Sequence, residues 1–230
     1  MTWREGGLRG PVWVAVAAFL VSLAVTQSQA GGAVCASHMH GVSGTSCSSL
    51  MMFDWMLMVA AMMPPLVVPV IGHVWRSSFP GRRADSVLSF ALGYASVWGL
   101  AGILLMPAAA DLARILPGWG ASLAFLALSI GWSSSPLAQV ARNRGHRVRS
   151  INPYGFAADR DSFLQGLLTG CPCVLACWTW MLVPMAAPTG NHLLMVGVTA
   201  VLFLESLAPP KRPLWQTPPA IVMLRQLATT

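Results

Sequence analysis

Charged side chains are scarce in this sequence: Asp, Glu, Lys and Arg make up 9% of its 230 residues, against roughly 25% in soluble domains. Hydrophobic residues make up 55%. So much apolar surface needs lipid, and the composition excludes a soluble globular domain. The sequence also has no phosphate-binding glycine loop and no nucleophile elbow, and its loops are too short for a soluble catalytic domain.

A basic stripe interleaved with aromatic residues is missing as well, although the formal net charge is +7. The basic residues lie in short clusters between apolar runs. This distribution predicts no nucleic-acid partner, and it is typical of loops that orient a membrane protein.

Six apolar runs divide the chain, and each is close to the length of about 20 residues that crosses a hydrocarbon core about 30 Å thick. The runs predict an all-α, polytopic membrane bundle of about six transmembrane helices. Pro64, Pro65 and Pro69 predict a kinked or broken second helix, and Pro107 predicts the end of the third. The runs cover roughly residues 11–27, 50–74, 87–106, 119–139, 163–186 and 192–207.

The distribution of basic residues predicts the orientation. If the amino terminus is inside, Arg114 is the only outer residue among the fourteen Lys and Arg, so both termini are expected to be cytoplasmic. The first run also resembles a cleavable signal peptide, because it has a basic start and the small residues Ser28 to Ala30 follow it. In either case residues 28–49 are expected to lie outside.

The second run places a carboxylate and two thioethers on one helical face. Asp54, Met58 and Met62 recur at steps of four residues. Methionine is often only a packing residue, whereas an ionisable group among membrane residues by default indicates function or a specific partner. Asp54 lies near the outer interface, where water could reach it.

The fifth run carries three of the five cysteines within seven residues. Cys173, Cys177 and Met181 also recur at steps of four, and Cys171 lies off this stripe. Soft sulfur ligands suit Cu(I), and zinc is the second choice. The alternative is that the cysteines only pack, as small apolar residues.

The two stripes lie at matching depths in the membrane. Met58 and Met62 are level with Cys177 and Cys173, and Asp54 is about level with Met181. One mixed site would form only if the second and fifth helices are neighbours, which the sequence does not establish.

The outer segment is rich in ligands. Histidine and thioether groups in a flexible loop would suit capture of copper, and a Cys35–Cys47 disulfide in an oxidising compartment is an alternative compatible with it. The candidate ligands are Cys35, His38 and His40, with Met39 between the histidines. Glu205, near the inner end of the sixth run, is expected to form a structural ion pair with His73 or an inner arginine.

Several blocks of the sequence resemble a bacterial family of predicted metal-binding integral membrane proteins, some members of which are labelled copper chaperones. The second run carries the block Trp55 to Pro64, which contains Ala-Met-Met-Pro. The other blocks are Gly93-Tyr94, Val97-Trp98, Trp132, Ser135-Pro136, Gln139, Gly170, Cys173, Cys177, Trp178, Met181, Glu205 and the turn at Pro209 to Lys211. Family members often carry cysteines after the fourth run, whereas Val140 to Gly145 contain none.

The likeness covers roughly residues 50–213, which we interpret as a five-helix membrane domain in the bacterial inner membrane. Residues 1–27 form the first helix or a signal-like anchor, residues 28–49 the exterior segment, and residues 214–230 a cytoplasmic tail.

The leading hypothesis is a copper-binding membrane protein that acts in capture, delivery or storage, without a need for enzymatic activity. Its partners are the lipid bilayer and a membrane or exterior protein in copper delivery or oxidoreductase assembly. One alternative is a noncatalytic subunit or assembly factor of a larger membrane oxidoreductase. Another is a copper-dependent membrane oxygenase, which the scarcity of histidine near the runs disfavours.

Overall fold

A computed structural model describes residues 44–145, 148–152, 154–187 and 191–228 of the chain. All regular elements of these residues are helical, which confirms the predicted all-α bundle. A 3₁₀ turn, Pro80–Arg82, precedes α3. The helices are α1 Gly44–Met62, α2 Pro64–Ser77, α3 Arg83–Ile115, α4 Gly120–Ser133, α5 Pro136–Gly145, α6 Gly155–Met185, α7 Asn191–Leu207 and α8 Pro219–Ala228.

The lengths and apolar character of the helices make this a membrane protein. Residues 80–115 and α6 are each long and apolar enough to cross a bilayer, and four spans result if each of two bent helix pairs is one span. The apolar part of α7, Leu193–Leu207, is shorter. The first predicted helix, residues 11–27, lies outside the described residues.

The predicted break in the second run is confirmed. α1 and α2 meet at Met63 with a bend of 71°. Pro64 and Pro65 follow directly, and because proline has no N–H the helical hydrogen-bond ladder is interrupted there. The next helix begins directly after the break, and the Leu66 amide donates to the Met63 carbonyl oxygen at 3.0 Å. Pro69 is accommodated inside α2.

Two other boundaries differ from the prediction. The fourth run is not one straight helix, because α4 and α5 meet at a bend of 73° before Pro136. The Ser135 hydroxyl accepts the Ala138 amide at 3.2 Å and so caps the new helix. The third run continues past Pro107 to Ile115, because proline inside α3 is tolerated without ending the helix.

The centre of the bundle is the close crossing of α3 and α6. A Cβ atom added at Gly93 would overlap the Phe163 carbonyl oxygen, and one added at Gly166 would overlap the Phe90 carbonyl oxygen. Small residues allow membrane helices to approach closely. The Arg82–Asp159 ion pair joins the starting ends of the two helices at 2.6 Å, so they run parallel.

Candidate metal site

Cys173, on α6, is surrounded by polar and sulfur groups from two other elements. Its Sγ lies 3.7 Å from the Sδ of Met63 and 3.1 Å from the Tyr94 hydroxyl oxygen. The thioether of Met63 has no hydrogen to donate, so the Cys173 thiol is the donor in that contact. Cys173 is therefore a polar junction among α6, α3 and the α1–α2 break.

Cys177 lies one helical turn after Cys173 and is buried. Side chains four residues apart are neighbours on one helical face, so the two thiols lie on the same side of α6. Cys171 is exposed on the helix surface. The structure therefore brings two of the three neighbouring thiols together and directs the third away from them.

Met63 was not among the predicted ligands, and its position explains why. The stripe of Asp54, Met58 and Met62 follows steps of four residues within α1, whereas Met63 lies off that stripe, at the break between α1 and α2. Met63 is 1% exposed, and it is the thioether that contacts Cys173. The Pro64-Pro65 pair was the sequence signal that could have drawn attention to it.

The predicted sulfur residues lie in the same hydrophobic core as this junction. Met58, Met62, Cys177 and Met181 belong to the main hydrophobic core, and Cys173 packs against it from a partly buried position. α1 packs on α3, which packs along α6. The second and fifth predicted helices thus meet through the Met63–Cys173 contact, and α3 contacts both.

The remaining predicted ligands are Asp54 and the residues of the outer segment. Asp54 is partly buried in α1. Cys35, His38 and His40 lie outside the described residues. Within the described ranges, no three His, Cys, Asp or Glu side chains are placed to hold a metal ion. A copper site with three side-chain ligands in these ranges would therefore include methionine as well as cysteine sulfur.

A buried ion pair lies near the thiols. Arg142 of α5 contacts Glu205 of α7 at 3.2 Å, and the two side chains are 10% and 3% exposed. This confirms the expectation that Glu205 forms an ion pair, and the partner is an arginine. His73 instead contacts the Arg149 carbonyl oxygen at 3.0 Å.

Ser133 completes the surroundings of this pair. Its backbone carbonyl oxygen accepts from Arg142 at 2.8 Å, and its hydroxyl oxygen accepts from the Trp180 indole N–H at 2.8 Å. The network ties α4, α5, α6 and α7 together beside the turn of α6 that carries Cys177. A buried charge needs such partners, because removal from water is costly.

An all-helical membrane bundle with a contact between cysteine and methionine sulfur in its core defines the class of this protein. The chain belongs to the family PpoB2, described as a copper chaperone, whose model matches residues 52–229. The resemblance found in the sequence is confirmed, and the match extends beyond residue 213. No curated protein and no solved structure matches the chain.

Proposed function

We propose that this protein carries copper as its cargo: it captures copper outside the membrane, holds Cu(I) at buried sulfur, and passes it to a protein partner. The contact between the Cys173 thiol and the Met63 thioether, 3.7 Å apart, carries the proposal. Thiolate and thioether ligands together select Cu(I). The family description, copper chaperone, supports the same cargo.

Zinc fits this donor set less well. Structural zinc sites use four Cys or His ligands, sometimes with a carboxylate. The core contains Cys177 and several methionines, with Cys173 packed against it, and the His73 ring of α2 is hydrogen-bonded to the Arg149 carbonyl oxygen. The residues present thus fit a soft ion of low coordination number. On this proposal the candidate ligands are Cys173, Cys177, Met181, Met58 and Met62, with Asp54 at the outer end.

The outer segment would make the first contact with copper. Cys35, His38 and His40 supply thiol and imidazole donors on the exterior side of the bacterial inner membrane, and both termini are cytoplasmic. Contacts between the basic segments that are predicted to be cytoplasmic support this orientation, because they join these segments to one another. Arg82 pairs with Asp159, and the Asn143 side chain donates to the Lys211 carbonyl oxygen at 2.7 Å.

Replacement of both thiols tests the proposal. The full-length protein carrying Cys173→Ser and Cys177→Ser is purified in detergent, loaded anaerobically with Cu(I), and its bound copper is measured beside that of the wild type. We expect the double variant to lose membrane-site copper, whereas Cys171→Ser keeps it, because Cys171 is exposed away from the cluster. Equal copper contents in wild type and double variant would defeat the proposal.

A further inference from the structure

We infer that Cys173, Cys177 and Met63 form a three-sulfur site for one Cu(I) ion, and that the Tyr94 hydroxyl is a hydrogen-bond donor to the bound Cys173 sulfur. This inference rests on the proposed function and specifies which sulfur atoms bind the cargo. Met63 and Tyr94 become functional residues that the helical stripes did not include.

The distance between Cys173 Sγ and Met63 Sδ allows one metal ion to bind both sulfur atoms. Two sulfur atoms that each lie about 2.3 Å from one metal can be at most about 4.6 Å apart. The 3.7 Å separation of Cys173 Sγ and Met63 Sδ satisfies this limit. Cys177 is buried one helical turn after Cys173 on the same face of α6, so a third sulfur is available from the next turn of the same helix.

The metal-free hydrogen bond indicates where the ion goes. Because a thioether only accepts, the Cys173 thiol hydrogen lies between its sulfur and Met63 Sδ. Cu(I) binds deprotonated thiols, so the thiol protons of Cys173 and Cys177 both pass to water, and the metal takes the position between Cys173 Sγ and Met63 Sδ. In the metal-free protein, the thiol hydrogen thus occupies the position that copper takes when it binds.

The Tyr94 hydroxyl can donate a hydrogen bond to the negatively charged, copper-loaded site. Two thiolates and one neutral thioether around Cu(I) carry a net charge of −1. The Tyr94 hydroxyl oxygen is 3.1 Å from Cys173 Sγ, and donation to a charged acceptor is stronger than donation to a neutral one. Such groups outside the ligand shell orient the ligands and tune metal affinity.

The α3–α6 crossing fixes Tyr94 against Cys173. A Cβ atom added at Gly166 would lie 2.8 Å from the Tyr94 amide nitrogen, and one added at Gly170 would lie 3.0 Å from Val97 Cβ. The α6 backbone therefore meets the α3 backbone at Gly166 and the Val97 side chain at Gly170. Met63 comes from a different element, the α1–α2 break.

Methionine replacements test the ligand assignment. Met63→Leu removes the sulfur at nearly constant volume, and Met195→Leu on α7 is the matched control, because Met195 is also buried in the core. All variants also carry His38→Ala and His40→Ala, so that the outer histidines do not contribute. Cu(I) affinity is measured by competition with a chromogenic Cu(I) chelator, and X-ray absorption counts the sulfur neighbours of copper.

Loss of the third ligand should be visible in both measurements. We expect Met63→Leu to weaken Cu(I) binding by about tenfold or more and to lower the sulfur count from three to two. Met195→Leu should change neither. Equal affinities in the two variants overturn the inference, and so does a loss in Met62→Leu that Met63→Leu does not show.

Tyrosine replacements test the hydrogen bond. Tyr94→Phe should weaken Cu(I) binding by about tenfold and shift the ultraviolet thiolate-to-copper band, while the sulfur count stays at three. Tyr154→Phe is the control, because Tyr154 is exposed and is the only other tyrosine of the chain. An unshifted band in Tyr94→Phe overturns the role of its hydroxyl.

The experiments separate this inference from the proposed function. A wild-type protein that binds no Cu(I) overturns both. Copper that is lost on replacement of Cys173 and Cys177 but kept in Met63→Leu overturns the three-sulfur site alone.

Discussion

Trp55 of α1 donates its indole N–H to the carbonyl oxygen of Trp98 on α3, at 2.9 Å. Both side chains are fully buried or nearly so, and the rings are 5.9 Å apart between centroids. Gly102 makes room for the indole, because a Cβ atom there would lie 2.6 Å from Trp55 Nε1. The contact fixes α1 on α3 two turns before the break at Met63.

Trp55→Phe should therefore lower the free energy of unfolding by about 1–3 kcal/mol, because it removes a buried hydrogen bond and leaves part of the indole space empty. Thermal unfolding in detergent measures the change. Trp215→Phe is the control, since Trp215 is 72% exposed. Equal shifts in the two variants would contradict the assigned role of Trp55.

Removal of one partner of the Arg142–Glu205 pair should be more costly than removal of both. Arg142→Met leaves a buried carboxylate without its cation, and a loss of about 3–5 kcal/mol is expected. Arg142→Met combined with Glu205→Leu should recover part of that loss. Thermal unfolding of the single and double variants provides the comparison.

An exposed ion pair is the control for this experiment. Arg114 and Asp111 are 68% and 69% exposed, so Arg114→Met should change stability by less than about 1 kcal/mol. If the double variant of Arg142 and Glu205 is no more stable than Arg142→Met alone, the buried pair is not the source of the loss.

A single methyl group at Gly166 should disrupt the α3–α6 crossing. Gly166→Ala would place a Cβ atom against the Phe90 carbonyl oxygen, and backbone atoms there cannot move aside cheaply. We expect a lower unfolding temperature and weaker Cu(I) binding. Gly131→Ala, which meets no atom within 4 Å, should be neutral or slightly stabilising, because alanine favours helix. Comparable losses in both variants would argue against a close crossing.

Topology tags test the orientation. Reporters at both termini should show a cytoplasmic location, and a reporter after Gly118 should show an exterior one. Gly118 lies in the turn between α3 and α4 with φ of 67°, and an insertion there leaves both helices intact. An exterior carboxyl terminus would contradict the prediction of six spans. Processing near Ala30 would show that the first run is a signal peptide.

The outer histidines should matter most when copper is scarce. We expect His38→Ala with His40→Ala to reduce copper loading at low external copper and to leave loading at high copper nearly unchanged, because the buried sulfur site remains. A copper titration of cells that produce each variant measures this. Cys47→Ser shows whether a Cys35–Cys47 disulfide is also required, and identical titration curves for all variants would reduce the segment to a linker.

Local sequence patterns predicted the helical class, the break before Pro64 and the pairing of Glu205, because proline chemistry and the cost of a buried charge act locally. Tyr94 could not be found in this way. Its contact with Cys173 depends on which helices become neighbours, and this is decided by long-range packing at Gly93 and Gly166.

The sulfur stripes show a second limit of the sequence pattern. Steps of four residues correctly placed Cys173 and Cys177 on one face of α6. The same rule applied to α1 selected Met58 and Met62, whereas the helix ends before Met63 and that residue makes the contact with Cys173. A periodicity predicts faces only within an unbroken helix.

The contacts of Cys173 also determine when the site can form during synthesis. Met63 and Tyr94 precede it by 110 and 79 residues, and α4 and α5 lie between them in the chain. α1 to α3 must therefore remain in the bilayer with an incomplete core until the ribosome has delivered α6. Since domains acquire long-range contacts late in folding, copper loading at the inferred three-sulfur site would follow insertion of α6, because a shorter nascent chain lacks Cys173 and Cys177.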